Sequence, residues 1–458
     1  MRPLAKRSFP PNTFPGLLWH LLQPADHKLS GDLTESLIGG ATVGVDGRHT
    51  VRALFDHLIC VAGGGVPGPE GILGAGSGLA GIPYGVTDVF EATRAGALAA
   101  HRLDRDDLHW ETLTHPGGVV WPVVLALGAS NRLPLNHVLT AAELGYEVTI
   151  SVARLLAPIQ ASWHATTICG SIGAAAAGGF LLAGESGAVD AFNHAASVAG
   201  GTRRPLFERS QGRLFLRMHA AMTGLNAAFS AFQGLRAAEA AMEGAMGLFS
   251  MLGHTPESSD LDITRDHSLS ELAFRTHAAS GFFHAAVDAA MDLTPGKLGS
   301  IGEVVVEVGP AVAASTTIGV PNNPQDAWGS LPTAVAGAMV VRGQGLGAWP
   351  LDQRVVDLIG RVRVAAAPRP DDERLLARVV ATSANGNRTE AERRVPHGHP
   401  TDPLTDEELA AKAVGLRSVA NVDVATEAMA LLMESSDRQT SELLDDLGEL
   451  LGPGSVDD

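Results

Sequence analysis

Cysteine is scarce: Cys60 and Cys169 are the only two in 458 residues. That indicates neither a disulfide framework nor a cysteine-based zinc site. Aromatic residues make up only 5% of the chain, while glycine contributes 53 residues and alanine is abundant. Helices that meet through small side chains are therefore expected. Positive charge is also short, with 33 Lys and Arg against 50 Asp and Glu, a net −17. Nucleic acids and anionic membranes need a basic footprint, so neither is an expected partner; a small anionic substrate responds to local charge and stays open. Apolar runs such as "GSIGAAAAGGFLLAG" are too short and too rich in Gly and Ala to read as spans. The N-terminal "MRPLAKRSFPPNTFPGLLWHLL" is broken by prolines and has no small-residue cleavage pattern, so it reads as a docking arm and not a signal peptide. A soluble cytoplasmic protein is the expectation. A nucleophile elbow, a P-loop, an HExxH and histidine pairs at local ligand spacing are all missing. No metal and no cofactor is expected.

What is present is first of all helical periodicity. In "TVRALFDHLICVAGG", Val51, Leu54, Phe55, Leu58 and Ile59 share one face, and Gly63 to Gly65 end the run. Residues 63–85 hold many Gly and Pro and read as a loop. "VFEATRAGALAAHRL", "GGVVWPVVLALGA" (bent at Pro122) and residues 138–157 read as helices, as do "HATTICGSIGAAAAGGFLL", 213–234 and 235–252. The pattern then changes. "IGEVVVEVG" and "RVRVAAA" alternate with period two, and "RLLARVVATSANGNRTEAERRV" reads as a hairpin turned at Asn385-Gly386. After "HGHPTDPLTDEELAAKA" the chain returns to helix, ending in an acidic surface helix and a frayed tail. The fold class is mainly α. A large helical domain at 1–273 is followed by an α+β lid at 274–405, and 406–458 returns to the helical domain.

The chemistry-bearing residues concentrate in few places. "HRLDRDDLHWETLTHPGG", 101–118, packs three histidines and three aspartates. Asp104, Asp106 and Asp107 follow a helix end, where the dipole disfavours carboxylates. His115-Pro116-Gly117 opens the next helix, with Thr114 or His115 a plausible cap, and its unpaired first-turn N–H groups could hold an anion. A solvated loop would look similar. In "SWHATTICGSIG", His164 precedes a Thr pair, including Thr166; its glycines do not follow a strand, which rules out a dinucleotide fingerprint. Arg213, Arg217 and His219 share a helical run that also reads as a solvated basic face. Arg275 lies near His277 and His284 at the domain junction, where pockets are common. Such a His, Asp and Arg set suits proton abstraction beside a carboxylate, with Arg holding the anion and His moving protons.

At these residues the chain resembles the MmgE/PrpD family, which includes 2-methylcitrate dehydratase, cis-aconitate decarboxylase and iminodisuccinate epimerase. "LDRDDLHWETLTHPGGVVWPVVLALG", "ASWHATTICGSIGAAAAGGFLLAG", "RLFLRMHAAMTGLNAAFSAFQG", "FFHAAVDAAMDL", "GSLPTAVAGAMVVRG" and "HGHPTDPLTDEELAAKA" occur in the family order, across about residues 35–430. The resemblance implies a helical domain with an α+β lid, a homodimer, and catalytic roles for Asp104, His115 and His164. By position, Arg213 and Arg275 stand where the family has lysines, Leu108 where it has threonine, Ser280 where the decarboxylases have histidine, and Thr333 where tyrosine is common. With Thr166 these are the expected substrate contacts. Lys to Arg keeps the charge but replaces a titratable donor with a rigid fork, so the arginines should clamp carboxylate. The expected reaction is dehydration of a hydroxylated di- or tricarboxylic acid. His115 or His164 would take the α-proton, and the other histidine, or Asp104 through a water, would protonate the leaving hydroxyl. Epimerisation, decarboxylation and a catalytically inactive scaffold are the alternatives.

Overall fold

The structure, a computed structural model, describes residues 38, 47–64, 83–85, 88–157, 162–253, 268–293, 301–316, 319–341, 349–368, 375–416 and 421–451. The expected docking arm, most of the Gly/Pro loop and the acidic tail lie outside the described residues.

Helix α1 (Gly47–Gly64) buries all five residues of its apolar stripe. The Asp88 carboxylate starts α2 (Val89–Ala100) by accepting from the Phe90 N–H at 2.9 Å, and the helix stops at His101. Beyond it, α3 (Gly117–Ser130) is buried along almost its whole length. Three longer helices follow: α4 (Leu135–Leu155), α5 (Ala165–Ala196) and α6 (Gly212–Phe232). Helix α5 is the hub, packing on α3, α4 and α6. Small residues allow this: a Cβ on Gly173 would stand 2.3 Å from the Gly145 carbonyl oxygen. By length and composition α5 could cross a membrane, but it breaks at Ala183–Gly184, and 72% of its most apolar window is buried inside the fold.

The expected helix at 235–252 is not formed; only Leu248–Met251 is helical there. Side chains capture the backbone instead. Asp190 accepts from the Ala237 N–H at 3.2 Å and Asn193 from the Ala241 N–H at 3.4 Å, while Gly244 turns at φ +77°. The apolar residues still find a core, with Met242, Leu248, Phe249 and Leu252 packing beside Phe192.

A two-residue ribbon links distant parts of the chain. In it β1 (Leu108–His109) pairs antiparallel with β2 (Leu272–Ala273), Leu108 opposite Ala273. Beyond it, α7 (His284–Asp292), α8 (Leu331–Val341) and α9 (Gln353–Ile359) accompany a mixed sheet. Its strands are β3 (Ile301–Val308), β4 (Val362–Ala366), β5 (Ala377–Ser383) and β6 (Arg388–Arg393), in the order β4-β3-β5-β6. Only β3 and β4 are parallel. The β5–β6 hairpin turns at Asn385-Gly386, with Gly386 at φ +87°. Val304, Val306 and Val379 form a core with Val287, Val335 and Leu358. Finally α10 (Asp406–Gly415), opened by a Thr405–Glu408 capping box, leads to α11 (Val422–Glu434) and α12 (Thr440–Leu451). Leu409, Leu432 and Leu443 enter the same core as Phe55 and Trp121. The fold is mainly helical with a small α+β part.

Candidate functional site

The ribbon assembles the site. Continuing its register by two residues sets Arg275 opposite Asp106. Arg275 Nε donates to the Asp106 carbonyl at 2.6 Å, Nη1 to Asp104 Oδ1 at 2.9 Å and Nη2 to Asp106 Oδ1. Asp104 sits at φ +55°, a conformation Asp tolerates better than most residues. Burial pushes its carboxyl up, but the Arg275 and Arg213 guanidiniums outweigh burial and hold it ionised. Asp106 is likewise held well below the usual carboxylate range: burial opposes ionisation, and His101 and Arg275 overcome it. Arginine, and not solvent, thus stabilises the carboxylates at this helix end.

His101 completes the network. Arg213 Nη1 can only donate, so the His101 Nε2 it meets at 3.0 Å is the acceptor. The imidazole proton therefore lies on Nδ1, which donates to Asp106 Oδ1 at 2.8 Å. Burial lowers the His101 pKa to about 4. Arg213 also donates to the Arg102 carbonyl at 3.4 Å and stacks over Trp328, 4.5 Å from its ring centroid.

His115 has the opposite exposure of its nitrogens. Its Nδ1 donates to the Asp107 carbonyl at 2.7 Å, which leaves Nε2 without a proton. Asp106 Oδ2, which has no hydrogen-bond partner among the described residues, lies 3.6 Å from Nδ1. Burial first, then the charges of Arg217 and Arg275, keep the ring neutral. The backbone N–H of His115 donates to Thr166 Oγ1 at 3.2 Å, which ties the His-Pro turn to the start of α5. His164 precedes α5 and bonds Thr167 Oγ1 through Nδ1 at 2.5 Å. Burial, then Arg217 and His115, hold it neutral too. The His115–Thr166 bond therefore joins the two segments that carry these imidazoles.

Beneath them Asp107 Oδ1 accepts from the Gly117 N–H at 3.0 Å and Oδ2 from the Tyr146 hydroxyl at 2.7 Å. That carboxyl takes one of the helix N-terminal N–H groups that could have held an external anion. A Cβ on Gly117 would come within 2.7 Å of Asp107 Oδ2, so only glycine fits. Burial raises the Asp107 pKa to about 7. A buried Lys412–Asp56 ion pair braces the loop, with Lys412 Nζ donating to the Arg105 carbonyl at 2.8 Å.

Of the expected residues, Asp104, His115, His164, Arg213 and Arg275 come together. The Arg213 and Arg275 guanidiniums hold the protein's own Asp104, Asp106 and His101. Asp104, kept ionised by both arginines, has no proton to donate at neutral pH. Thr166 positions His115 through its hydroxyl. Leu108 packs instead with Trp110, Ala273 and Leu375. Ser280 is tied through its N–H to the Trp328 carbonyl at 2.9 Å, and the Thr333 hydroxyl donates to Ser330 at 2.9 Å. His101, Asp106, Asp107 and Arg217 are the site residues missing from the expected set. Arg217 stands four residues, one helical turn, after Arg213, a spacing that shares a face.

His101, Asp104 and Asp106 offer three ligand atoms within 4.8 Å of one another, enough to consider a metal. The Arg275 guanidinium already bridges both carboxylates, so a cation there would face that positive charge. Arg154 similarly holds Glu111 and Glu271 beside His109, the second such group. A depression of about 530 Å³ lies elsewhere, on the sheet near Glu303, Arg361 and Arg363. Those three side chains are exposed and carry no buried proton-transfer group.

The MmgE/PrpD N-terminal domain matches residues 58–260, which include Asp104, His115, His164, Arg213 and Arg217. The MmgE/PrpD C-terminal domain matches residues 277–434. No curated protein matches the chain. With the two matches covering most of its length, the chain belongs to the MmgE/PrpD family.

Proposed function

We propose that this protein is a cofactor-independent hydro-lyase. It removes the α-proton of a hydroxylated carboxylic acid and expels water to leave a conjugated alkene. Family membership supports dehydratase-type or related chemistry. The observation that carries the finer reading is the fixed tautomer of His115, whose unprotonated Nε2 is a base at neutral pH. Burial makes the free imidazolium costly, but in the transition state the proton arrives as enediolate charge develops beside it. Asp106 Oδ2, 3.6 Å from Nδ1, then faces the new imidazolium. The proton taken from carbon, relayed by the second neutral imidazole, His164, is the one that the hydroxyl receives as it departs as water. Both histidines come from segments tied by the His115–Thr166 hydrogen bond, so one substrate can meet both.

Incubation with a panel of hydroxy mono-, di- and tricarboxylates, read by alkene absorbance, tests this. Alkene from at least one acid is expected. Deuterium uptake at the α-carbon with no alkene would instead assign an epimerase, and carbon dioxide release a decarboxylase. A homodimer is also proposed, supported by the exposed Phe207, Phe215 and Phe232; light scattering that gives a monomer mass would overturn it.

A further inference from the structure

Arg217 is 2% exposed, and its Nε and Nη1 have no hydrogen-bond partner among the described residues. A buried guanidinium with idle donors is expensive in free energy, and proteins keep such groups for a ligand. Its surroundings identify the ligand's sign. Arg217 follows Arg213 by one turn of α6, and after burial itself its charge does most to hold both His115 and His164 neutral. Arg213 and Arg275 are already engaged with Asp104 and Asp106. The charged groups that act on Arg217 are two guanidiniums and two ionised carboxylates, which balance each other and leave the charge of Arg217 itself uncompensated. The neighbouring Lys412–Asp56 pair is neutral as a unit, and an Arg105 Nη1 lies toward Gly415 on α10.

We infer that Arg217 is the anion receptor of this site and that it takes a single carboxylate. The substrate is then a hydroxylated monocarboxylic acid, not the di- or tricarboxylic acid expected from the sequence. A second buried carboxylate would find its guanidinium partners occupied and would raise the charge of a site already holding Asp104 and Asp106. The inference rests on the proton-abstraction reading above for the word "substrate", but the receptor itself does not require turnover.

The test uses the intact protein and three probes, 3-hydroxybutyrate, malate and citrate, with 3-hydroxybutyramide as the uncharged control. Calorimetric titration should give saturable binding of 3-hydroxybutyrate, with malate and citrate at least about tenfold weaker and the amide weaker still. Arg217→Leu should weaken 3-hydroxybutyrate by about 30-fold or more, and Arg217→Lys by only about three- to tenfold, since it keeps the charge. Without ligand Arg217→Leu should melt no lower than wild type, because it removes an unpaired buried charge. If Arg217→Leu does not fold, the lysine variant and the amide control still report on the charge. No saturable 3-hydroxybutyrate binding, equal binding by Arg217→Leu, or tighter binding of citrate would overturn the inference. Parallel proton exchange in deuterated water separates it from the parent reading. Arg217-dependent binding with no α-exchange on any acid of the panel defeats the proton chemistry alone. Exchange that Arg217→Leu leaves unchanged defeats the receptor alone.

Discussion

Arg213 donates from Nη1 to His101 Nε2 at 3.0 Å, and that one bond decides what His101 is for. With Nε2 occupied and Nδ1 committed to Asp106, His101 has no free lone pair. It orients Asp106, and through Asp106 the His115 imidazole, without itself touching a reacting atom. His115, whose Nε2 is free of that constraint, is the proposed base.

The first prediction concerns Arg275. Removing it leaves Asp104 and Asp106 buried and largely uncompensated, a change that costs about 3–5 kcal/mol in comparable buried pairs. Arg275→Ala should lose stability on that scale in urea unfolding, with an unchanged m-value. A loss below about 1 kcal/mol would show that the pairs are not as desolvated as their burial implies.

The second follows from the buried histidines. His57 is held near 3 and His101 near 4, and burial pushes His115, His164 and His284 down as well. Above the unfolded value of about 6.5 both states are neutral and nothing is lost. Below it the unfolded chain takes up protons that the folded chain refuses. Stability should therefore fall between pH 6.5 and 4, by up to about 1.4 kcal/mol per unit for each histidine. Calorimetric melting at pH 7.5 and 5 checks this; equal midpoints would contradict it.

Asp107 acts with the opposite sign. Its folded value, about 7, lies above the unfolded 3.8, so its contribution is full below pH 3.8 and is lost as pH rises to about 7. Asn can accept from Gly117 and donate to Tyr146, which mimics the protonated acid. The stability of Asp107→Asn relative to wild type should therefore rise from pH 4 to 7 and level off above. A flat difference across that range would place the Asp107 pKa near its ordinary value.

Much of this arrangement was legible in the sequence, for identifiable reasons. The stripe of Val51, Leu54, Phe55, Leu58 and Ile59 and the alternation of Ile301–Val308 are local patterns, and both gave the expected elements. The mainly helical fold with a small α+β part, and the MmgE/PrpD resemblance, hold as well. The 235–252 stretch did not, because its backbone bonds go to Asp190 and Asn193, some 48 residues earlier, and no local pattern carries that. The protein partners of Arg213 and Arg275 were out of reach in the same way. Whether a guanidinium meets substrate or a protein carboxylate depends on the Leu108–Ala273 register, which joins residues far apart in the chain. Arg217 was within reach, since its spacing from Arg213 puts both on one helix face. What the spacing could not convey was that the face is buried.

The central claim is that His115 removes a proton from carbon, and proton exchange measures that step without needing turnover. Wild-type protein in deuterated water should incorporate deuterium at the α-carbon of at least one hydroxy acid in the panel, followed by NMR. His115→Gln should slow that exchange by about 10²–10⁴-fold while remaining folded. Exchange at the wild-type rate in His115→Gln, or no exchange on any acid by the wild type, would contradict the account.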